Sequence, residues 1–169
     1  MTRFSLKVTD KIAKLEKICI KPLIFELSYF LIKYKVRLKM IFKKLESKKI
    51  PIPKGCYSQA VQMGNLIFTS GQLPVDPISG KFISDDVAKQ VVRVLENIKN
   101  ILEDNGSSLS HVIKSTIFIS DIKHWTKVND IYARYFKNSL PPARSIISCN
   151  SIHYGLDIEM EVVAYIPPK

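Results

Sequence analysis

From residue 50 onward the hydrophobic pattern alternates between a strand period of two and a helix period near 3.6. The β-rich runs 57–63 and 66–69 are separated by Gly64-Asn65, which is a hairpin signal. A turn-rich loop follows, Leu73-Pro74-Val75-Asp76-Pro77-Ile78-Ser79-Gly80. Val91, Val94, Leu95, Ile98, Ile101 and Leu102 then recur on one helical face, with Ser84 or Asp85 as the expected N-cap and Gly106 beyond the last turn. The run 112–119 returns to strand composition, with Ile113, Ile117 and Ile119 predicted on one apolar face. Asp121 is placed to cap a second helix whose buried face is predicted to be Trp125, Val128, Tyr132, Tyr135 and Phe136. Pro141-Pro142 ends it, and two last strands are expected around 144–148 and 158–166.

The order β-β-α-β-α-β-β predicts an α+β architecture, with two helices covering one face of a mixed sheet. Such a two-layer domain leaves its other sheet face bare, and an apolar bare face is most simply buried against further copies of the chain.

Ahead of this domain the pattern changes. Pro51 and Pro53 mark a junction, and the organisation expected is a basic extension, residues 1–49, followed by the domain, residues 50–169. The formal net charge of +11 divides unevenly. Residues 1–49 hold 14 Lys/Arg against 4 Asp/Glu, whereas residues 50–169 hold 12 against 11. A nearly neutral domain lacks the clustered basic face that phosphate backbones require, so no stable nucleic-acid partner is expected. The apolar stretch 20–32 is broken by Lys21, Pro22 and Glu26, and is too short for a bilayer-spanning helix. Three readings of the extension remain: an organelle transit peptide for mitochondrion or plastid, a basic helix on an anionic membrane, or a segment without function. The first is the expectation, and membrane contact is expected through this extension alone. Without it the protein is expected in the cytoplasm.

Cys19, Cys56 and Cys149 are odd in number and far apart, and His111, His124 and His153 form no paired ligand spacing. Neither a disulfide framework nor a metal site is expected, and no cofactor.

Three features carry candidate chemistry. Arg144 follows Pro141-Pro142-Ala143, a stiff support for a guanidinium that grips a carboxylate through two hydrogen bonds. The alternative is a surface arginine paired with a nearby acid. Glu159 and Glu161 fall on one face of a strand whose other face is Ile158, Met160 and Val162. One of these carboxylates is positioned to orient or deprotonate a water, or both simply face solvent. Thr69-Ser70-Gly71-Gln72 ends a strand with small residues that admit a ligand close to the backbone, or marks an ordinary loop entry.

Taken together, Gly55-Cys56-Tyr57-Ser58-Gln59-Ala60-Val61, Thr69-Ser70-Gly71-Gln72-Leu73-Pro74-Val75-Asp76-Pro77, Val128-Asn129-Asp130-Ile131-Tyr132, Pro142-Ala143-Arg144-Ser145 and Ile158-Glu159-Met160-Glu161 resemble the Rid/YjgF family of enamine/imine deaminases, also called endoribonuclease L-PSP. The motifs keep the family's order across residues 50–167. The resemblance implies a chorismate-mutase-like fold, a homotrimer with clefts between subunits, and hydrolysis of 2-imino or 2-enamino acids such as 2-aminoacrylate to 2-keto acids and ammonia. It implies that Arg144 binds the substrate carboxylate, that Glu159 holds the attacking water, and that Tyr57, Ser70, Gly71 and Asn129 line the cleft. Ile146 stands where many members carry a cysteine, which puts an apolar side chain against the substrate, and Cys56 replaces a usual proline. An imine carbon is already electrophilic, so positioning and acid–base work are sufficient for the reaction. Two rival readings are a trimer that binds small acids without turnover, and a ribonuclease or translation inhibitor.

Overall fold

The computed structural model describes residues 42–83 and 86–168, all within one unit formed by residues 41–169. Its strands are β1 (Lys43–Leu45), β2 (Ala60–Met63), β3 (Leu66–Thr69), β4 (Val112–Ile119), β5 (Ala143–Ser148) and β6 (Ile158–Tyr165). Its helices are α1 (Val87–Asp104) and α2 (Trp125–Phe136). The six strands form one mixed sheet in the order β1-β2-β3-β6-β4-β5, with β5 parallel to β4 and every other pair antiparallel. This is the expected α+β arrangement, with one strand added at the front.

That added strand moves the expected boundary at residue 50. Leu45 pairs with Ala60 and is buried in the core, and the Ser47 amide donates to the Gln59 side chain at 2.6 Å. Residues 43–49 therefore belong to the folded domain, and 43–45 to its sheet. The readings of the extension as a transit segment or membrane helix fall on residues 1–41, outside the described residues.

The β2–β3 hairpin turns at Gly64-Asn65, where Gly64 takes φ +61°, as a type II′ turn requires at its first central position. In α1 the six predicted apolar residues are all fully buried. Its N-cap is Asp86, whose carboxylate accepts from the Ala88 amide at 2.8 Å, while Ser84 and Asp85 lie outside the described residues. Past its end, Gly106 at φ +79° lets the Ser107 amide turn back to the Leu102 carbonyl at 2.8 Å.

Two predicted faces are corrected. A β-bulge between Val112 and Lys114 shifts the inward positions of β4 to Val112, Ser115, Ile117 and Ile119. Ile113 is left 45% exposed, and Ser115 satisfies its buried hydroxyl on the Tyr132 hydroxyl at 2.7 Å. Asp121 caps a short 3₁₀ turn, Ile122–His124, rather than the helix itself. The helix consequently starts at Trp125, which is exposed, and Ile131 completes the buried face with Val128, Tyr132 and Phe136. Both helices pack on one side of the sheet, and the opposite side leaves Met63, Phe68 and Ile147 exposed.

Candidate active site

The predicted site residues fall into two groups on opposite faces of the sheet. β5 runs parallel to β4 with Arg144 beside Ser115 and Ile146 beside Ile117, so both point to the helix-covered face. β6 places Glu159 beside Phe118 and Glu161 beside Thr116, on the open face. Strand β4 lies between them, so Arg144 and Glu159 are two strand spacings apart across the sheet, roughly 10 Å, and offset by three residues, about another 10 Å, along it, with the sheet itself intervening. Within one chain they do not meet.

The first group is built on β5 and α2. The Arg144 guanidinium donates through Nη2 to Asn129 Oδ1 at 2.8 Å and lies over the Tyr132 ring, 4.6 Å from its centroid. Tyr132 is braced by stacking on Phe136 at 4.3 Å and by its bond to Ser115. Burial raises the Tyr132 hydroxyl above its ordinary value, against smaller opposing effects of Ser115 and Arg144, so it stays neutral. Arg144 is thus fixed by an amide and an aromatic face. Among the described residues, no carboxylate pairs with it. It opens into a groove that also holds Asn129, Lys137, Pro141 and Pro142. The alternative reading, a surface arginine occupied by a neighbouring acid, does not describe this arrangement. Ile146 is partly buried and packs against the core from the same face.

The second group is built on β6 and the end of β3. Gly71 lies beneath the Glu159 side chain. A Cβ there would overlap Oε1 and sit 2.8 Å from Cδ, so the carboxylate keeps this position only while residue 71 lacks a side chain. The Gln72 amide donates to the Met160 carbonyl at 2.8 Å and the Met160 amide donates back at 3.1 Å, which locks this loop to β6. Ser70 donates its hydroxyl to the Ser58 carbonyl at 2.6 Å and its amide to the Gln59 carbonyl at 3.0 Å. Its side chain is thereby committed to holding the strand that leads from Tyr57. Tyr57 is 57% exposed and lines an open groove with Gly71, Gln72 and Val75. Glu159 is only partly exposed. Burial first, then the neighbouring Glu161, pushes its carboxyl above the usual value, with His153 acting the other way. A carboxylate of raised proton affinity is the better general base. Glu161 is exposed, so the two acids separate in environment although they share a face.

Three supporting residues escaped the sequence reading. Tyr132 reads as an ordinary core aromatic at helical spacing, and only the register of β5 brings Arg144 over it. Gln59 is buried and donates to the carbonyls of Ser47 and Pro51 at 3.2 and 3.0 Å, fixing one wall of the Tyr57 groove. Asn97, on the buried face of α1, donates to the carbonyls of Leu73 and Val75 at 3.2 and 3.1 Å, and so holds the loop after Gly71. The available signal was the presence of two amides at positions where strand and helix periodicity predict apolar residues.

A mixed α+β sheet with a clamped arginine on one face and a carboxylate over glycine on the other defines the class. The chain belongs to the Rid/YjgF family: the sequence model described as Endoribonuclease L-PSP matches residues 47–166. A RutC family protein of Pyrococcus abyssi is 43% identical over 119 residues, which is 70% of this chain and 93% of that protein. Protein MMF1, mitochondrial, of Saccharomyces cerevisiae is 34% identical over 120 residues, 71% of this chain and 81% of its own. Among solved structures, the YjgF gene product of E. coli superposes with a TM-score of 0.71 at 35% identity, covering 74% of this chain and 99% of that one. E. coli TdcF with bound serine gives 0.70 at 34% identity, covering 73% and 98%.

Proposed function

We propose that this protein hydrolyses 2-imino and 2-enamino acids to 2-keto acids and ammonia, in clefts that each take Arg144 from one chain and Glu159 from the next. The observation that carries this reading is the uncompensated Arg144 charge, held between Asn129 and Tyr132 and open to a groove. A planar cation so presented is matched to a carboxylate, and Glu159, an acid of raised proton affinity, stands on the opposite sheet face. Closing a ring of three chains over the bare face is the symmetric way to bring one chain's Arg144 to another's Glu159. The related TdcF holds serine, a small molecule with the carboxylate that Arg144 would grip.

In this cleft Arg144, steadied by Asn129, orients the substrate carboxylate, and Glu159 takes a proton from the water that attacks the imine carbon. Ser70 and Gly71 keep the backbone close to that carbon, while Tyr57 and Ile146 border the side-chain space. The mitochondrial relative and the basic residues at the front of the chain favour an organellar location for this chain. Fluorescent fusion of residues 1–41 to a reporter tests it, and a diffuse cytoplasmic signal would contradict it.

The activity is tested by ammonia and keto-acid release from enzymatically generated 2-aminoacrylate and 2-iminobutyrate, using the full chain. Acceleration is expected, and Arg144→Lys should lose at least about tenfold in kcat/KM because a point charge cannot reproduce the planar fork. A folded protein with no acceleration, or full activity in Arg144→Lys, would contradict the reading.

A further inference from the structure

The groove beside Tyr57 and Gly71 has a buried end. Its mouth is open, with Ile52 84% and Tyr57 57% exposed. Ile50 and Asn97, which line the same groove, are only 4% and 1% exposed and form its deep end. The space measures about 80 Å³, room for a few non-hydrogen atoms and not for a large side chain. Ile50, Pro51, Leu73 and Val75 give it apolar walls, and none of its lining residues among those described is charged. Gly71 joins it to the reacting centre, because the Glu159 carboxylate lies directly over that residue.

Two amides in this wall differ in how they are satisfied. Gln59 is bonded at both ends: Oε1 accepts from the Ser47 amide, and Nε2 donates to the Ser47 and Pro51 carbonyls. Asn97 is bonded at one end only. Its Nδ2 donates to the Leu73 and Val75 carbonyls at 3.2 and 3.1 Å, while its Oδ1 is buried and has no partner. A buried carbonyl oxygen without a donor is unfavourable, so the deep end of the groove is matched to a group that brings one. With no charged residue in the lining, an ammonium there would be desolvated without a counter-charge. The donor that fits is neutral and small, as a hydroxyl is.

We propose that this cavity receives the substrate side chain and that Asn97, through Oδ1, selects 2-imino acids whose short side chain ends in a hydroxyl. The proposal rests on the deaminase reading of the site. With the imine carbon at Glu159 and the carboxylate on Arg144 of the next chain, the side chain runs past Tyr57 and Gly71 into the cavity. Its methylenes lie against Ile50, Pro51 and Val75, and its hydroxyl donates to Asn97 Oδ1. A methyl group in place of the hydroxyl fits the same space but leaves Oδ1 unpaired, so it is disfavoured for its chemistry and not for its size. Asn97 thus acts on the choice between substrates, and its two bonds to the Leu73 and Val75 carbonyls fix the oxygen that makes the choice.

The test gives the full chain two imines of equal size, 4-hydroxy-2-iminobutyrate and 2-iminopentanoate, which differ only in a terminal hydroxyl for a methyl. Each is generated in situ by an amino-acid oxidase, with 2-iminobutyrate as the reference substrate. The hydroxylated imine should show the higher kcat/KM, by about tenfold. Equal values, as expected if water alone fills the deep end, or a preference for 2-iminopentanoate, would overturn the proposal. Acceleration of 2-iminobutyrate in the same experiment would leave the deaminase reading standing. A protein that accelerates none of the three overturns that reading, and the side-chain selection with it. Asn97→Leu should bring the ratio of the two kcat/KM values to about one. Because the readout is a ratio, a general loss of activity from a loosened loop does not imitate it. A preference that survives in this variant would overturn the role of Asn97, and the wild-type comparison decides the proposal whether or not the variant folds.

Discussion

Glu159 gives up solvation to reach its place over Gly71, and that cost has a measurable sign. Its folded pKa lies above the ordinary value of 4.5, so the native state holds more protons than the unfolded chain and stability falls as pH rises through that window. Glu159→Gln should therefore raise Tm at pH 7, with the gain shrinking as pH falls through the folded value towards 4.5. A lower Tm at pH 7 would show that the carboxylate is stabilised by partners the described contacts do not include. Gly71→Ala drives a methyl into Oε1, and should displace the carboxylate and lower kcat with little change in denaturant unfolding, because the overlap falls on the far end of a flexible side chain. An alanine variant with a wild-type rate would contradict the close approach. At this scale the sequence was informative where residue type and local spacing suffice: Arg144 behind two prolines, and Glu159 alternating with buried apolar neighbours.

Helix α1 shows how far periodicity reaches at the scale of elements. Its six apolar positions are all in the core, because a 3.6-residue rhythm sustained over 18 residues has few other solutions. Ile98→Ala should cost roughly 2–5 kcal/mol in chemical denaturation, and a smaller loss would mean that the core collapses around the cavity. Strand β4 was less legible. One bulged residue turns Val112 inward and Ile113 out, while the polar Ser115, in phase with Ile117 and Ile119, goes in where composition opposes it. Strand β1 was missed for a related reason. Lys43 and Lys44 have poor strand propensity and sit in a basic run, and the segment is tied to the domain by tertiary partners distant in sequence, such as Gln59, which bonds to Ser47 and Pro51, and Asp104, which accepts from Ser47.

Across the whole molecule the decisive fact is which face each functional group occupies. The order β6-β4-β5, with β5 parallel, sets Arg144 beneath α2 and Glu159 on the side without helices. Strand patterns reveal alternation but not register between distant strands, so the separation of the two groups was invisible in the sequence. An assembly in which each cleft draws Arg144 and Glu159 from different chains makes a prediction that a site within one chain does not. Arg144→Ala and Glu159→Gln should each be inactive alone. When equimolar amounts are unfolded together and refolded, random mixing in a cyclic trimer should restore about a quarter of the wild-type deaminase activity, since that share of clefts combines an intact Arg144 with an intact Glu159. A mixture as inactive as its parents, with mixed trimers present by native mass spectrometry, would contradict the shared cleft.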